Sequence, residues 1–382
     1  MVAFAIVIIL CLAPIHGCHC KGLFNATAAL RTAKDVVNGI VRPDVKAFNV
    51  LEHGAKPDGK TDSSINFRST FEAACNFNGN AMMVIPSGVF LIGPVLFSGP
   101  CFNPSLLIIQ VNGTVKAQPN VANYRGGGKD DIDWITFQAI HGLILTGHGT
   151  FHGQGSKAWT WRLNDCSKKS NCVRLPATLK FIKVTHGIIR GIKSIDPKGF
   201  HIMISMSRNF RIFKISLQQS WLPRSLFMFD HSIGSLGHYD DEADVSRITV
   251  KNCSLRETDN GVRIKTYKTN SPSKASGITF QDLIMTRVRN PIIIDQEYGN
   301  KKHSRSSKVR ISDVHYINIR GTSTSKVAVD LLCSASNPCK GIHIDNVNLQ
   351  YAGPQNDNLP FSSNCRNAKV TYHGFQSPPP CR

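Results

Sequence analysis

Acidic side chains are scarce in this chain: 25 Asp and Glu stand against 45 Lys and Arg, a formal charge of +20. Such an imbalance points to a polyanionic partner or an acidic surface. Long apolar runs are also missing. Beyond the N-terminus no segment reaches the roughly 20 apolar residues that cross a bilayer, so no membrane partner is expected. No cysteine pair has zinc-finger spacing followed by His, so no metal site is expected either. Low-complexity blocks are absent and charged residues make up only 18% of the composition, which excludes a disordered chain. The 382 residues are enough for one large domain or two ordinary ones.

What is present begins with an apolar run from Ala3 to Ile15, followed by small or permissive residues near Gly17 and Cys20. This reads as a secretory signal peptide over residues 1–20, with a membrane anchor as the alternative. Secretion ranks the polyanions: nucleic acid suits a cytosolic protein, whereas acidic polysaccharide suits an extracellular one. The cysteines fit an oxidising compartment, with local partners in Cys75 and Cys101, Cys166 and Cys172, Cys333 and Cys339, and Cys365 and Cys381. Cys253 is left over. Asn25, Asn112 and Asn252 open Asn-x-Ser/Thr sequons, of which Asn252 reads as strand-bound.

Apolar positions Ile65, Phe67, Phe71 and Ala74 predict a short amphipathic helix within Ser63 to Asn76, placed as an end cap. From Met82 onward short β-rich runs such as Met83-Val-Ile and Leu106-Leu-Ile-Ile are separated by Gly, Pro and Asn. Runs of one character, including Phe210-Arg-Ile-Phe-Lys-Ile and Lys308-Val-Arg-Ile-Ser, then recur at roughly 24 to 36 residues, the signature of stacked repeats. The fold class is therefore all-β, a parallel solenoid over residues 21–382 with a short N-terminal capping helix. A sandwich of irregular hairpins is the alternative.

Asn260-Gly-Val-Arg-Ile-Lys-Thr-Tyr267 carries the most chemistry. The strand period of two puts Arg263 and Lys265 on one face and Val262 and Ile264 on the other, towards a core. An exposed guanidinium and ammonium side by side suit a carboxylate ligand such as a sugar acid. The alternative is a pair of solvated cations.

Several stretches together resemble the plant polygalacturonases, pectin-cleaving glycoside hydrolases built on a right-handed parallel β-helix. They are Gly54-Ala-Lys-Pro-Asp-Gly-Lys-Thr-Asp62, Gly147-His-Gly-Thr-Phe-His-Gly-Gln-Gly155 with Trp159, Ser232-Ile-Gly-Ser-Leu-Gly237, Asn260-Gly-Val-Arg-Ile-Lys265 and Asn290-Pro-Ile-Ile-Ile-Asp-Gln-Glu-Tyr298. The resemblance implies inverting hydrolysis of α-1,4-galacturonosyl linkages, with one carboxyl as acid and another as base. It implies no cofactor. Arg263, Lys265, Tyr298 and His201 are the implied substrate contacts, His201 having a structural role as its alternative. Trp159 and Trp161 either stack sugars or pack under a loop.

Of the four family motifs, Asn-Thr-Asp, Gly-Asp-Asp, Gly-His-Gly and Arg-Ile-Lys, only the last is intact. Asp196-Pro-Lys-Gly-Phe-His201 places Lys198 where a carboxylate belongs, and Gln219-Ser-Trp-Leu-Pro-Arg224 carries no acid. Phe229 replaces the histidine. The stretch from His201 to Ser232 is short by a large part of one coil. No catalytic residue is assigned; Asp196, Lys198 and Phe229 are degenerate positions, and Asp196, Asp230 and Asp240-Asp-Glu242 are substitute acids or else turn and loop residues. Three functions remain open: a polygalacturonase-like hydrolase of pectin, a secreted pectin-binding pseudoenzyme, and an active enzyme's chain missing one coil. In each, the partner is polygalacturonate in the plant cell wall and the protein is expected as a monomer.

Overall fold

The computed structural model describes residues 44–101, 106–124, 133–159, 175–220, 231–237, 242–268, 270–298, 306–354 and 359–381. The expected leader at 1–20 lies outside the described residues, as do Trp161, Cys166, Cys172, Phe229 and Asp230.

Short runs rich in Val, Ile, Leu and Phe bury alternate side chains, and each run pairs in parallel with the run one coil later. Among the described residues a nine-stranded front sheet and an eighteen-stranded back sheet result. One coil runs through Ile202–Ser205 in front, then Arg208–Phe213 and Ser216–Gln218 behind, before His231–Leu236 returns to the front. Successive parallel strands joined this way wind right-handed. The fold is a single-stranded parallel β-helix. Ile202 pairs directly with His231 and Ser216 with Ser254, so both sheets stay continuous through this coil.

The register stacks identical faces. Phe97, Phe137, Phe181, Ile204, Ile233 and Ile264 form one inward row along the front sheet. The Phe97–Phe137 and Phe137–Phe181 ring centroids are 5.3 and 5.0 Å apart. Fully burying each such side chain contributes roughly 1.5–3 kcal/mol. Helix Ser64–Cys75 plugs the N-terminal end of this row, stacking Phe71 on Phe97 at 4.7 Å. Phe67, Phe71 and Ala74 are buried as the periodicity predicts, but Ile65 is 59% exposed. It lies two residues from Phe67, about 200° around the helix, so it cannot share that stripe.

Among the described residues three disulfides join three of the four expected pairs, Cys75–Cys101, Cys333–Cys339 and Cys365–Cys381. Cys253 is a free, buried thiol, pushed up to about 11 by burial. Each coil also needs a sharp corner in the back sheet. Asn252, Asp282, Asn318 and Asn346 take it with φ of 52 to 54°, a left-handed conformation that Asn and Asp tolerate best. Asn252 therefore sits on an exposed bend, not within a strand as its sequence suggested. Where the backbones close further, only glycine fits: at Gly321, with φ of 130°, a Cβ would stand 1.8 Å from the Met285 carbonyl oxygen.

Candidate active site

The front sheet aligns one position per coil in register, Thr136, Lys180, Met203, Ser232, Arg263, Ile293, Asp330 and Asn364, and places the side chains of Thr136, Lys180, Met203, Arg263, Ile293, Asp330 and Asn364 on its outward face. Lys265 and Asp295, opposite each other, start a second row beside it that continues to Leu332 and Arg366. These rows bring the sequence's two cations beside carboxylates the sequence reading missed.

Arg263 and Lys265 do share the outward face, and Val262 and Ile264 the core, but the expected exposure is corrected. Arg263 is 9% and Lys265 2% exposed. Arg263 Nη2 lies 2.7 Å from Asp295 Oδ2, and Lys265 Nζ lies 4.6 Å over the Phe200 ring, which packs with Ala177 and Met203. Burial, and next the nearby Asp295 charge, raise the Asp330 carboxyl above the usual carboxylate range, against a 2.8 Å hydrogen bond from Asn364 Nδ2 and the charge of Arg366. Further along, Lys180 Nζ pairs with Asp133 Oδ2 at 2.8 Å, and Arg366 with Glu297 at 2.7 Å.

The loop Asp196–Phe200 forms the wall over Lys265, and glycines let it approach. A Cβ on Gly155 would stand 2.2 Å from the Pro197 carbonyl oxygen, and one on Gly153 2.5 Å from that of Asp196. Trp159, buried, donates Nε1 to the carbonyls of Pro197 and Lys198 at 3.0 and 3.1 Å, so it packs under this loop. Lys198 is 3% exposed. Its Nζ donates to the Gly153 carbonyl at 2.6 Å and sits 4.6 Å over the Tyr124 ring. Burial lowers its ammonium to about 7.

Asp196 is a turn residue with φ of 46°, accepting from Ser220 N and Oγ at 2.5 and 2.8 Å. His201 has no exposed surface; its Nδ1 lies 2.8 Å from Ser194 Oγ inside the solenoid. Tyr298 ends its strand opposite Tyr267, its side chain lying outside the described residues. Glu242 accepts from the Gly237 amide, while Asp240 and Asp241 lie outside the described residues. Asp295 was legible as the partner in face of Ile293, but Asp330 needed the register between Asn290–Tyr298 and Val327–Leu332. Among the described residues no group of three His, Cys, Asp or Glu is placed to hold a metal.

The profile of "Glycosyl hydrolases family 28" matches residues 75–221 and 230–373, most of the chain. The chain belongs to glycosyl hydrolases family 28. An exopolygalacturonase of Arabidopsis thaliana is 35% identical, the alignment covering 87% of each chain. An exopolygalacturonase of Platanus acerifolia is 34% identical over 88% of this chain and 98% of its own. The solved exopolygalacturonase of Thermotoga maritima aligns with a TM-score of 0.55 at 16% identity, over 90% of this chain and 95% of that one. A family 28 exopolygalacturonase of Yersinia enterocolitica gives 0.51 at 15% identity, over 87% of this chain and 76% of that one. These two likenesses carry the fold. The family membership makes this a polygalacturonase-like chain directed at pectin.

Proposed function

We propose that this family 28 chain binds polygalacturonate along the outward rows of its front sheet and no longer cuts it at the rate of an active hydrolase. The observation that carries this reading is Lys198. It stands where the resemblance places a catalytic carboxylate, and its Nζ is turned away and held by the Gly153 carbonyl at 2.6 Å. Inversion needs an acid and a base about 6.5–9.5 Å apart, and each positioned group contributes about 10²- to 10⁴-fold. The losses are not additive, but removing both takes away most of the acceleration. Lys180, Arg263 and Arg366 lie on the same face, each beside a carboxylate, and the net charge of +20 supplies the attraction to a polyanion. In this reading Arg263 is the contact for a uronic-acid carboxylate, which a guanidinium suits.

The same reading has the protein secreted to the plant cell wall and working as a monomer. Retention on immobilised polygalacturonate tests it: the full chain should bind, elute with salt, and ignore fully methyl-esterified pectin. Equal retention on both polymers would sink the carboxylate-recognition reading.

A second reading rests on one observation, that Asp295 is tied to Arg263 while Asp330 is raised. A carboxyl raised by burial beside a second carboxylate is the kind of group that serves as a general acid. In that case Asp295→Asn and Asp330→Asn each abolish release of reducing ends. If the chain only binds, there is no release to abolish.

A further inference from the structure

The back sheet carries an open groove of about 790 Å³, lined by the corner residues of successive coils and by the strand residues just after them. Asn252 stands at one of these corners, exposed. Its carboxamide makes no hydrogen bond among the described residues. The corners that follow differ: Asn318 Nδ2 donates to Asp282 Oδ1 at 2.9 Å, and Asn346 Nδ2 lies 3.5 Å from Asn318 Oδ1. So the asparagine that leaves this ladder is the one that opens the sequon Asn252-Cys253-Ser254. The other described sequon asparagine, Asn112, is half-buried, beside Gly113, where a Cβ would meet the Pro86 carbonyl oxygen at 2.3 Å.

We propose that Asn252 carries an N-linked glycan and that its first sugars lie along this groove. Transfer takes place on the unfolded segment from a lipid-linked oligosaccharide diphosphate. Asn252 Nδ2 gives up a proton and bonds to the sugar C1, the C1–O bond to the diphosphate breaks, and the lipid diphosphate leaves. The fold then has to seat what was added. The strand row behind the corner runs Ser254, Ile284, Arg320, Asn348, three coils at 4.7–4.9 Å each, about 14 Å in all. Ile284, 43% exposed, offers an apolar face to the C–H side of a sugar ring. Arg320, Asn318 and Asn348 offer donors for its hydroxyl and acetamido oxygens. A glycan here leaves the front sheet uncovered.

The proposal goes beyond pectin binding and requires passage through the secretory pathway. The full chain is therefore expressed in plant cells behind a proven secretory leader, and protein is collected from the medium. The expected result is a glycosylated Asn252 peptide by mass spectrometry. Asn252→Gln and Ser254→Ala should each remove the mass of one glycan, Ser254→Thr should keep it, and retention on polygalacturonate should stay the same in all three. Ile284→Asp should speed enzymatic release of this glycan from the native protein. A secreted, pectin-retained chain whose Asn252 peptide is unmodified would overturn the assignment, and an unchanged release rate in Ile284→Asp would overturn the seating.

Discussion

Lys198, buried in the loop that walls the site, gives the fold a measurable pH dependence. Its ammonium falls from 10.5 to about 7 on folding, because burial removes water and a single carbonyl and an aromatic face stand in for it. Between about 7 and 10.5 the unfolded chain holds the proton and the folded chain does not, so stability rises with pH through that window. Below it both states are charged and the full burial penalty remains. Lys198→Met should flatten the profile, gaining on the order of 2 kcal/mol at pH 6 relative to pH 9 in denaturant titrations. Lys198→Asp should not restore an enzyme. The carboxylate would face the Gly153 carbonyl in a buried pocket, and the folded yield should drop. Arg263 and Asp295 make opposite predictions from one 2.7 Å contact. Arg263→Ala should weaken polygalacturonate binding about tenfold, the loss of one charge-assisted contact, measured by calorimetry. Asp295→Asn frees the guanidinium and should tighten it.

At the scale of elements, the end cap and the coil corners carry the predictions. The Cys75–Cys101 bond closes a 26-residue separation between the helix end and the chain after the first front strand. Replacing both cysteines by Ala should cost about 3 kcal/mol in the chain-entropy account, read as a fall in the urea midpoint. Gly321→Ala should be worse, because a Cβ has no room beside the Met285 carbonyl. Most of this architecture was legible in the sequence: recurring apolar runs gave the coils, and Phe67, Phe71 and Ala74 gave the cap. The exposure of Arg263 and Lys265 was not. Period two assigns a side chain to a face, but covering that face took the Asp196–Phe200 loop, brought in by Gly153 and Gly155 from an earlier coil. Asp330 stayed hidden for the same reason, since its neighbours come from strands over thirty residues away in sequence.

Over the whole molecule, the formal charge is +20, and the rows of the front sheet contribute Lys180, Arg263, Lys265 and Arg366 to it, with Asp295 and Asp330 among them. Attraction to a polyuronate is then long-ranged and screened, and affinity should fall steeply as ionic strength rises and the Debye length shrinks below about 10 Å. On the proposed reading, what separates this chain from a cutting enzyme is local, a few proton donors and acceptors on an otherwise intact frame. The most direct measurement is the release of reducing ends from polygalacturonate by the purified full-length protein, under conditions where binding is saturated. The account predicts a bound polymer with no new ends above the protein-free rate. Release at rates typical of enzymes, about 1–10³ per second, would contradict it.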